Sequence, residues 1–444
     1  MPASVASILI MSIDQPGLPS TEASTNPPDP GGAPATSMTT ARSLAPDLAR
    51  GAMLLLIAVA NAWGHLYGRA VGLGYRPLAG TSLDSIVDTV VAFAVDDRSR
   101  PMFAILYGYG IATMAARMAA RGADRRQVRS VLRRRSLGLL ALGALHAALL
   151  FSGDILGIYG AIGLVALLLV DRRRATLVRW GWVSFGLMLA GSTGLTLLAL
   201  AGPSEPVVTA DTYLASVPER LVEWSVTLML STMVLFVLNQ VVLGILLARS
   251  GWIDRPVEHR TQLARVGVGA LVVNLLANLP WALAVGGVWR PEGAMVVVLD
   301  VLHVASGVMM GLGYICLIAW AAARLTVLRA ATGSATTRVT GWVAAVGRRS
   351  LTCYLLQSAL MAPVLAAWGL GYGGTWGTAT ATGFAVGVWA VTVLVAVALE
   401  RAGRRGPFEV VLRRITYGRP RAMVPAAPSV TAAQPVPQAQ AGLS

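Results

Sequence analysis

The sequence predicts an all-α, polytopic membrane protein: a bundle of about ten transmembrane helices with both termini in the cytoplasm. Three observations predict it. The composition is poor in charge, apolar runs recur at membrane-crossing length, and the arginines are confined to alternate connections between those runs.

Of 444 residues, 55% are hydrophobic and 13% charged, about half the charged fraction of a soluble domain. Mean hydropathy is +0.64. The formal charge of +15 does not indicate a nucleic-acid partner. All 36 basic residues are arginines, and they sit in short clusters between apolar runs with no basic face to track phosphates. The partner this composition implies is the lipid bilayer. Richness in Ala, Gly, Arg and Val fits a GC-rich bacterium, so the expected location is the bacterial cytoplasmic membrane. Cys316 and Cys353 both fall inside apolar runs and read as small buried hydrophobes. No metal-ligand spacing is present, and no tightly bound cofactor is expected.

Residues 1–45 are expected to be a disordered tail, residues 46–421 the helical membrane domain, and residues 422–444 a second disordered tail. The first tail carries no positive stretch ahead of its apolar residues, as a secretory signal would require. Between the tails the expected spans are 51–70, 101–118, 136–152, 155–170, 178–202, 224–248, 266–286, 298–321, 350–368 and 380–399. Each is long enough to cross about 30 Å of hydrocarbon. The connections expected outside hold six arginines: Arg69, Arg76, Arg98, Arg100, Arg220 and Arg290. The other thirty lie on the other side, mainly in 117–135, 172–179, 249–265, 324–349 and 401–421, and such loops stay cytoplasmic. Residues 83–95 are apolar but carry Asp84, Ser85, Asp88 and Thr89, and predict an amphipathic helix lying at the outer surface. Pro101 breaks the chain before the second span. No inverted repeat is visible, which weakens a secondary-transporter reading. There is no Walker loop, Rossmann fingerprint, HExxH helix or GxSxG elbow.

Five motifs stand in order: Arg50-Gly51 opening the first span; DRSRPMFAILYGYG at 97–110; RRRSLGLLALGALHAALLFSGDILGIYGAIGLVALLL at 133–169; GRRSLTCYLLQS at 347–358; and GPFEVVLRRITY at 406–417. Together they resemble the YeiB-like family (domain of unknown function 418) over about residues 45–420. That family is distantly similar to transmembrane acyltransferases, including heparan-alpha-glucosaminide N-acetyltransferase and the acyltransferase-3 proteins. The resemblance implies an acyl group moved from a cytoplasmic acyl-CoA co-substrate to a glycan or lipid acceptor at the outer face. In acyltransferase-3 proteins an Arg opens the first span and a His follows eleven residues later. Here Arg50 matches the Arg, but the eleventh position is Asn61. The heparan enzyme has a similar Arg-to-Asn arrangement, with its catalytic His further along.

His65 lies one turn beyond Asn61 and would share its helix face; it is either a base or an interfacial His. His146 and Asp154 form the stronger constellation. His146 is expected about six residues, roughly 9 Å, below the outer end of its helix. Ser152-Gly153 turns the chain and Asp154 caps the next helix, so imidazole and carboxylate can meet. Such a pair is either a general base with its orienting carboxylate, or an N-cap beside an interhelical hydrogen bond. Asp300 and His303 share a face and either line the same cavity or form a solvated helix end. Asn239-Gln240, Asn274 with Asn278, and Gln357-Ser358 are polar residues within apolar spans, which either bind helices together or line a path. The arginine clusters at 133–135 and 348–349 either hold acyl-CoA phosphates or merely set topology. Arg50 and Arg100 stand at the mouths of spans as candidate substrate contacts, with Asn61 and Gln357. Glu409 and Arg413 are spaced as an i,i+4 pair on a short surface helix. The rivals to an acyltransferase are a proton-coupled small-molecule transporter or channel and a scaffold without chemistry. An acyltransferase needs a tunnel meeting at His146 or His65, whereas a transporter needs discontinuous helices.

Overall fold

A computed structural model describes residues 44–201, 209–233, 235–332 and 338–418. The expected tails lie outside the described residues, except that Ala45 already belongs to the first helix. Among the described residues all regular structure is helical, apart from one isolated bridge between Val71 and Pro77.

The chain order is α1 (Ala45–Ala62), α2 (Ser82–Ala94), α3 (Ser99–Ala119), α4 (Arg125–Leu149), α5 (Leu156–Ala166), α6 (Arg174–Ala201), α7 (Tyr213–Met233), α8 (Leu238–Ser250), α9 (Arg260–Val285), α10 (Ala294–Thr332), α11 (Arg338–Arg348), α12 (Ser350–Leu365), α13 (Thr378–Arg401) and α14 (Pro407–Tyr417). Local signals set several boundaries. Capping boxes start α2 (Thr81 with Asp84) and α4 (Asp124 with Gln127), satisfying orphan N–H groups. Gly251, at φ 71°, ends α8 in the left-handed conformation that glycine adopts without strain.

Six helices are long and apolar enough to cross a membrane, and seven if α7 and α8 count as one span bent by 61°. By that standard the described residues supply six or seven of the ten spans expected from the sequence. Every expected span contains a helix, but three fall short of that standard. α5 has 11 residues and α12 has 16, while the first half of α4 is dense in arginine. The expected single span 224–248 is instead the broken pair α7–α8. Residues 83–95 also differ from expectation. They form α2, which packs on α9 and α13 with Asp84 and Asp88 buried and Leu83, Ile86 and Val90 exposed. The polar face points into the protein because it has partners there: Asp84 Oδ1 accepts from Ala379 N (2.8 Å) at the start of α13, and Asp88 pairs with Arg76 (2.9 Å).

The most extensive packings are α9 on α10, α3 on α8, α4 on α5 and α1 on α11. Outward faces of α6, α7, α9 and α13 are apolar, with Leu198, Leu214, Leu276 and Leu394 at least 70% exposed. Apolar surface on that scale suits lipid and not water. The arginine-rich connections meet at one end: Arg129 pairs with Asp171 (3.7 Å), Arg249 donates to the carbonyls of Val170 (2.8 Å) and Arg172 (2.9 Å), Arg134 to that of Ile415 (3.0 Å), and Arg348 pairs with Glu400 (2.8 Å). Three of the six arginines expected in outer connections, Arg76, Arg98 and Arg220, are instead buried.

Candidate functional site

The motif at 133–169 folds into α4, a short turn, and α5 running back against it. His146 and Asp154 are thereby brought together. His146 Nδ1 lies 2.8 Å from Asp154 Oδ1, and both side chains are shielded from solvent. α4 ends at Leu149, so His146 sits in its last turn and not six residues below its end. Asp154 Oδ2 accepts from Gly157 N (2.7 Å) and from the indole Nε1 of Trp224 on α7 (3.4 Å). The carboxylate therefore caps α5 and orients the imidazole at once. Those two hydrogen bonds are the geometry that either sequence reading requires.

Two glycines make this packing possible. A methyl on Gly143 would strike Asp154 Oδ2 and the backbone of Gly157, and one on Gly157 would strike the Trp224 indole. On the other side, the Tyr354 ring of α12 lies 5.2 Å from the His146 ring, and its hydroxyl accepts from Ile155 N (3.3 Å). His146 Nε2 is buried and has no hydrogen-bond partner among the described residues. An imidazole locked at Nδ1 and open at Nε2 is arranged to take a proton from a group brought to Nε2.

His65 belongs to a one-turn 3-10 helix after the end of α1, so it does not continue the face of Asn61. Its ring stacks on Phe151 at 4.4 Å, and Phe151 N donates to the His146 carbonyl (3.2 Å). Gln357, one turn after Tyr354, donates to the Leu54 carbonyl (3.1 Å), while its Oε1 is buried without a partner. Arg50 stands eleven residues before Asn61 on α1, about 16 Å along the axis, and pairs with Asp47 (3.1 Å). Structure does not bring it to the dyad. Arg100 pairs with Asp97 and lies over the Phe236 ring at 4.8 Å, while its carbonyl accepts from Tyr159 on α5 (3.0 Å).

Asp300 and His303 are both buried, so they do not form the solvated helix end that was one sequence reading, and each has its own partners. Asp300 accepts from Ser192 of α6 (2.8 Å). His303 belongs to a second polar cluster at the short connection between α2 and α3, which together make one candidate span, Ser82–Ala119. There Nε2 lies 3.2 Å from Asp97 Oδ2, and Nδ1 lies 2.7 Å from Asn278 Oδ1 and 3.0 Å from Arg98 Nη1. Asp97 is held at φ 52°, a strained backbone for a residue with a side chain. Asn274 and Asn278 donate to the carbonyls of Ala92 and Phe93, binding α9 to the end of α2. These asparagines take the helix-binding role. Glu409 does not pair with Arg413, as sequence spacing suggested; its Oε1 accepts from Leu351 N (2.8 Å) and Thr352 N (3.1 Å), capping α12.

A pocket of about 590 Å³ opens at the arginine-rich end, lined by Arg117, Arg125, Arg249, Asp171 and Asp254 over a floor of alanines. None of its lining residues belongs to the dyad or its neighbours. Sequence reasoning missed Trp224 and Tyr354, because each reaches the dyad from a helix remote in sequence. The signal available was the run of small residues at Gly143, Gly153 and Gly157, which marks close helix approach.

Residues 247–419 match the family model described as protein of unknown function DUF418. The chain is also similar to the uncharacterized protein YxaH of Bacillus subtilis (strain 168), at 26% identity over 353 residues, covering 74% of this chain and 81% of the relative. The chain is thus a helical, membrane-type protein that is similar, over residues 247–419, to the DUF418 family.

Proposed function

We propose that this protein is an acyltransferase-like enzyme of the bacterial cytoplasmic membrane, with the arginine-rich end cytoplasmic and His146 near the outer face. The observation that carries the reading is His146 itself: Nδ1 is held by Asp154, while Nε2 is buried and unpartnered. In the reaction, Nε2 takes the proton of an acceptor hydroxyl or amine as that atom attacks the thioester carbonyl of acyl-CoA. The C–S bond breaks, and the imidazolium returns the proton to the departing thiolate. Arg50 and the arginines of the 590 Å³ pocket are the donor's counter-charges. His65, stacked on Phe151, belongs to the acceptor side, and Asn61, Arg100 and Gln357 are kept as substrate contacts.

The test is transfer of labelled acyl groups from acyl-CoA to glycan, glycolipid and amine acceptors by purified protein. His146→Gln should abolish transfer, and Asp154→Asn should lower it by 100-fold or more, on the order of a lost orienting carboxylate. Transfer at full rate in both variants would refute the role of the dyad.

A second reading is favoured by one observation, the 61° break between α7 and α8. Discontinuous helices are a mark of transporters. Proton-coupled uptake into proteoliposomes, lost in His146→Gln with no acyl transfer in the wild type, would select that reading.

A further inference from the structure

We propose that Arg220 and Trp224 are positioning residues for the His146–Asp154 pair, and that α7 acts as a clamp on it. The inference rests on the dyad reading above. Tyr213, Arg220 and Trp224 are spaced by seven and four residues, which places them on one face of α7. That face meets the last turn of α4, the turn that carries His146. Tyr213 Oη donates to the Leu149 carbonyl (2.9 Å), Arg220 Nε to that of Ala147 (3.2 Å) and Arg220 Nη2 to that of Ala148 (2.7 Å). These carbonyls are orphaned by the end of the helix, so α7 supplies what the chain after Leu149 does not. The guanidinium is held in turn between the rings of Tyr213 (5.1 Å) and Trp368 (5.8 Å).

One turn further along, Trp224 donates to Asp154 Oδ2. With Gly157 N on the same oxygen, the carboxylate is fixed in rotation and Oδ1 is left facing His146 Nδ1. α7 thus holds both halves of the dyad, one through helix-end carbonyls and the other through an indole. Its opposite face is apolar and exposed at Val222 and Val226. The clamp contacts thus lie on the side of α7 that packs against α4 and α5.

The experiment uses full-length protein in nanodiscs labelled with 15N-histidine. The chain has four histidines, so the His146 imidazole is assigned by its loss in His146→Gln. In the wild type His146 should show a single tautomer with the proton on Nδ1. Trp224→Phe and Arg220→Met should each turn that signal into a tautomer mixture and lower the transfer kcat by about tenfold or more with KM little changed, the effect of a small misplacement. Arg220→Lys, which still donates to the carbonyls, should restore most of both. The His303 resonance reports folding; where Trp224→Phe loses it, the Arg220→Met and Arg220→Lys pair decides. An unchanged single tautomer in folded Arg220→Met would overturn the clamp. A mixed tautomer without any effect of His146→Gln on transfer would leave the clamp standing and remove the dyad from catalysis.

Discussion

The guanidinium of Arg98 holds the amide oxygen of Asn274 with two nitrogens, Nε at 3.1 Å and Nη2 at 2.9 Å, in surroundings closed to solvent on both sides. The same guanidinium donates to Ser306 Oγ (3.2 Å) and to the Asp96 carbonyl. One side chain from the α2–α3 connection therefore satisfies acceptors on α9 and α10. A buried cation so enclosed is costly in isolation, and its hydrogen bonds are what offset the desolvation.

Arg98→Met should accordingly destabilise the protein by about 3–5 kcal/mol, because several acceptors lose their donor with no water to replace it. Arg100→Gln removes a partly exposed guanidinium paired with Asp97 and should cost about 1 kcal/mol or less. Thermal unfolding in detergent, followed by tryptophan fluorescence, compares the two. Equal losses would show that Arg98 is not the tie between these helices.

The α3–α8 crossing depends on reciprocal glycines. A methyl on Gly108 would collide with the Val241 carbonyl, and one on Gly244 with the Ile105 carbonyl, whereas Gly110 faces open space. Gly108→Ala or Gly244→Ala must push two backbones apart at a cost of about 1–3 kcal/mol. Gly110→Ala should be neutral or slightly stabilising, since alanine is the better helix former. A melting temperature that falls equally in Gly108→Ala and Gly110→Ala would contradict the close crossing.

These two relationships show what the sequence could and could not disclose. Apolar length and arginine placement report on lipid and on the two ends of the bundle, so helical class and the clustering of arginine connections were legible. His146 and Asp154 were legible too, because eight residues and a tight turn leave them few ways to avoid meeting. Arg98 was not, since an arginine beside a predicted loop looks solvated until α9 and α10 are known to close over it. The polar side of α2 misled for the same reason: amphipathic periodicity reveals two faces but not which one finds partners. The break between α7 and α8 was not legible because residues 224–248, though they hold Asn239-Gln240, are apolar enough on average to read as one span.

The contact between α14 and α12 should behave as a helix cap delivered from a distance. Glu409 accepts from the N–H groups of Leu351 and Thr352 and from the Thr352 hydroxyl, all at the start of α12. Glu409→Ala leaves those donors unpaired and should cost about 1–2 kcal/mol. Glu409→Gln keeps one acceptor oxygen and should lose roughly half as much. Limited proteolysis after residue 401 gives a direct readout: α14 should be released faster in Glu409→Ala than in Glu409→Gln, and faster in both than in the wild type. No difference in release would mean that α14 is held by its apolar face alone.

Orientation in the membrane can be read by cysteine labelling, because Cys316 and Cys353 are buried and leave a quiet background. Ala120 is exposed in the connection between α3 and α4, at the arginine-rich end, and Arg290 is exposed in the connection between α9 and α10, at the opposite end. Arginine-rich connections are retained on the cytoplasmic side, since moving them outward opposes both the membrane potential and the anionic inner leaflet. In intact cells an impermeant maleimide should therefore label Arg290→Cys, and should reach Ala120→Cys only after permeabilisation. The reverse pattern would put His146 and its neighbours on the cytoplasmic side, where the acceptor proposed here is not found, and the acyl-transfer reading would fail together with the orientation.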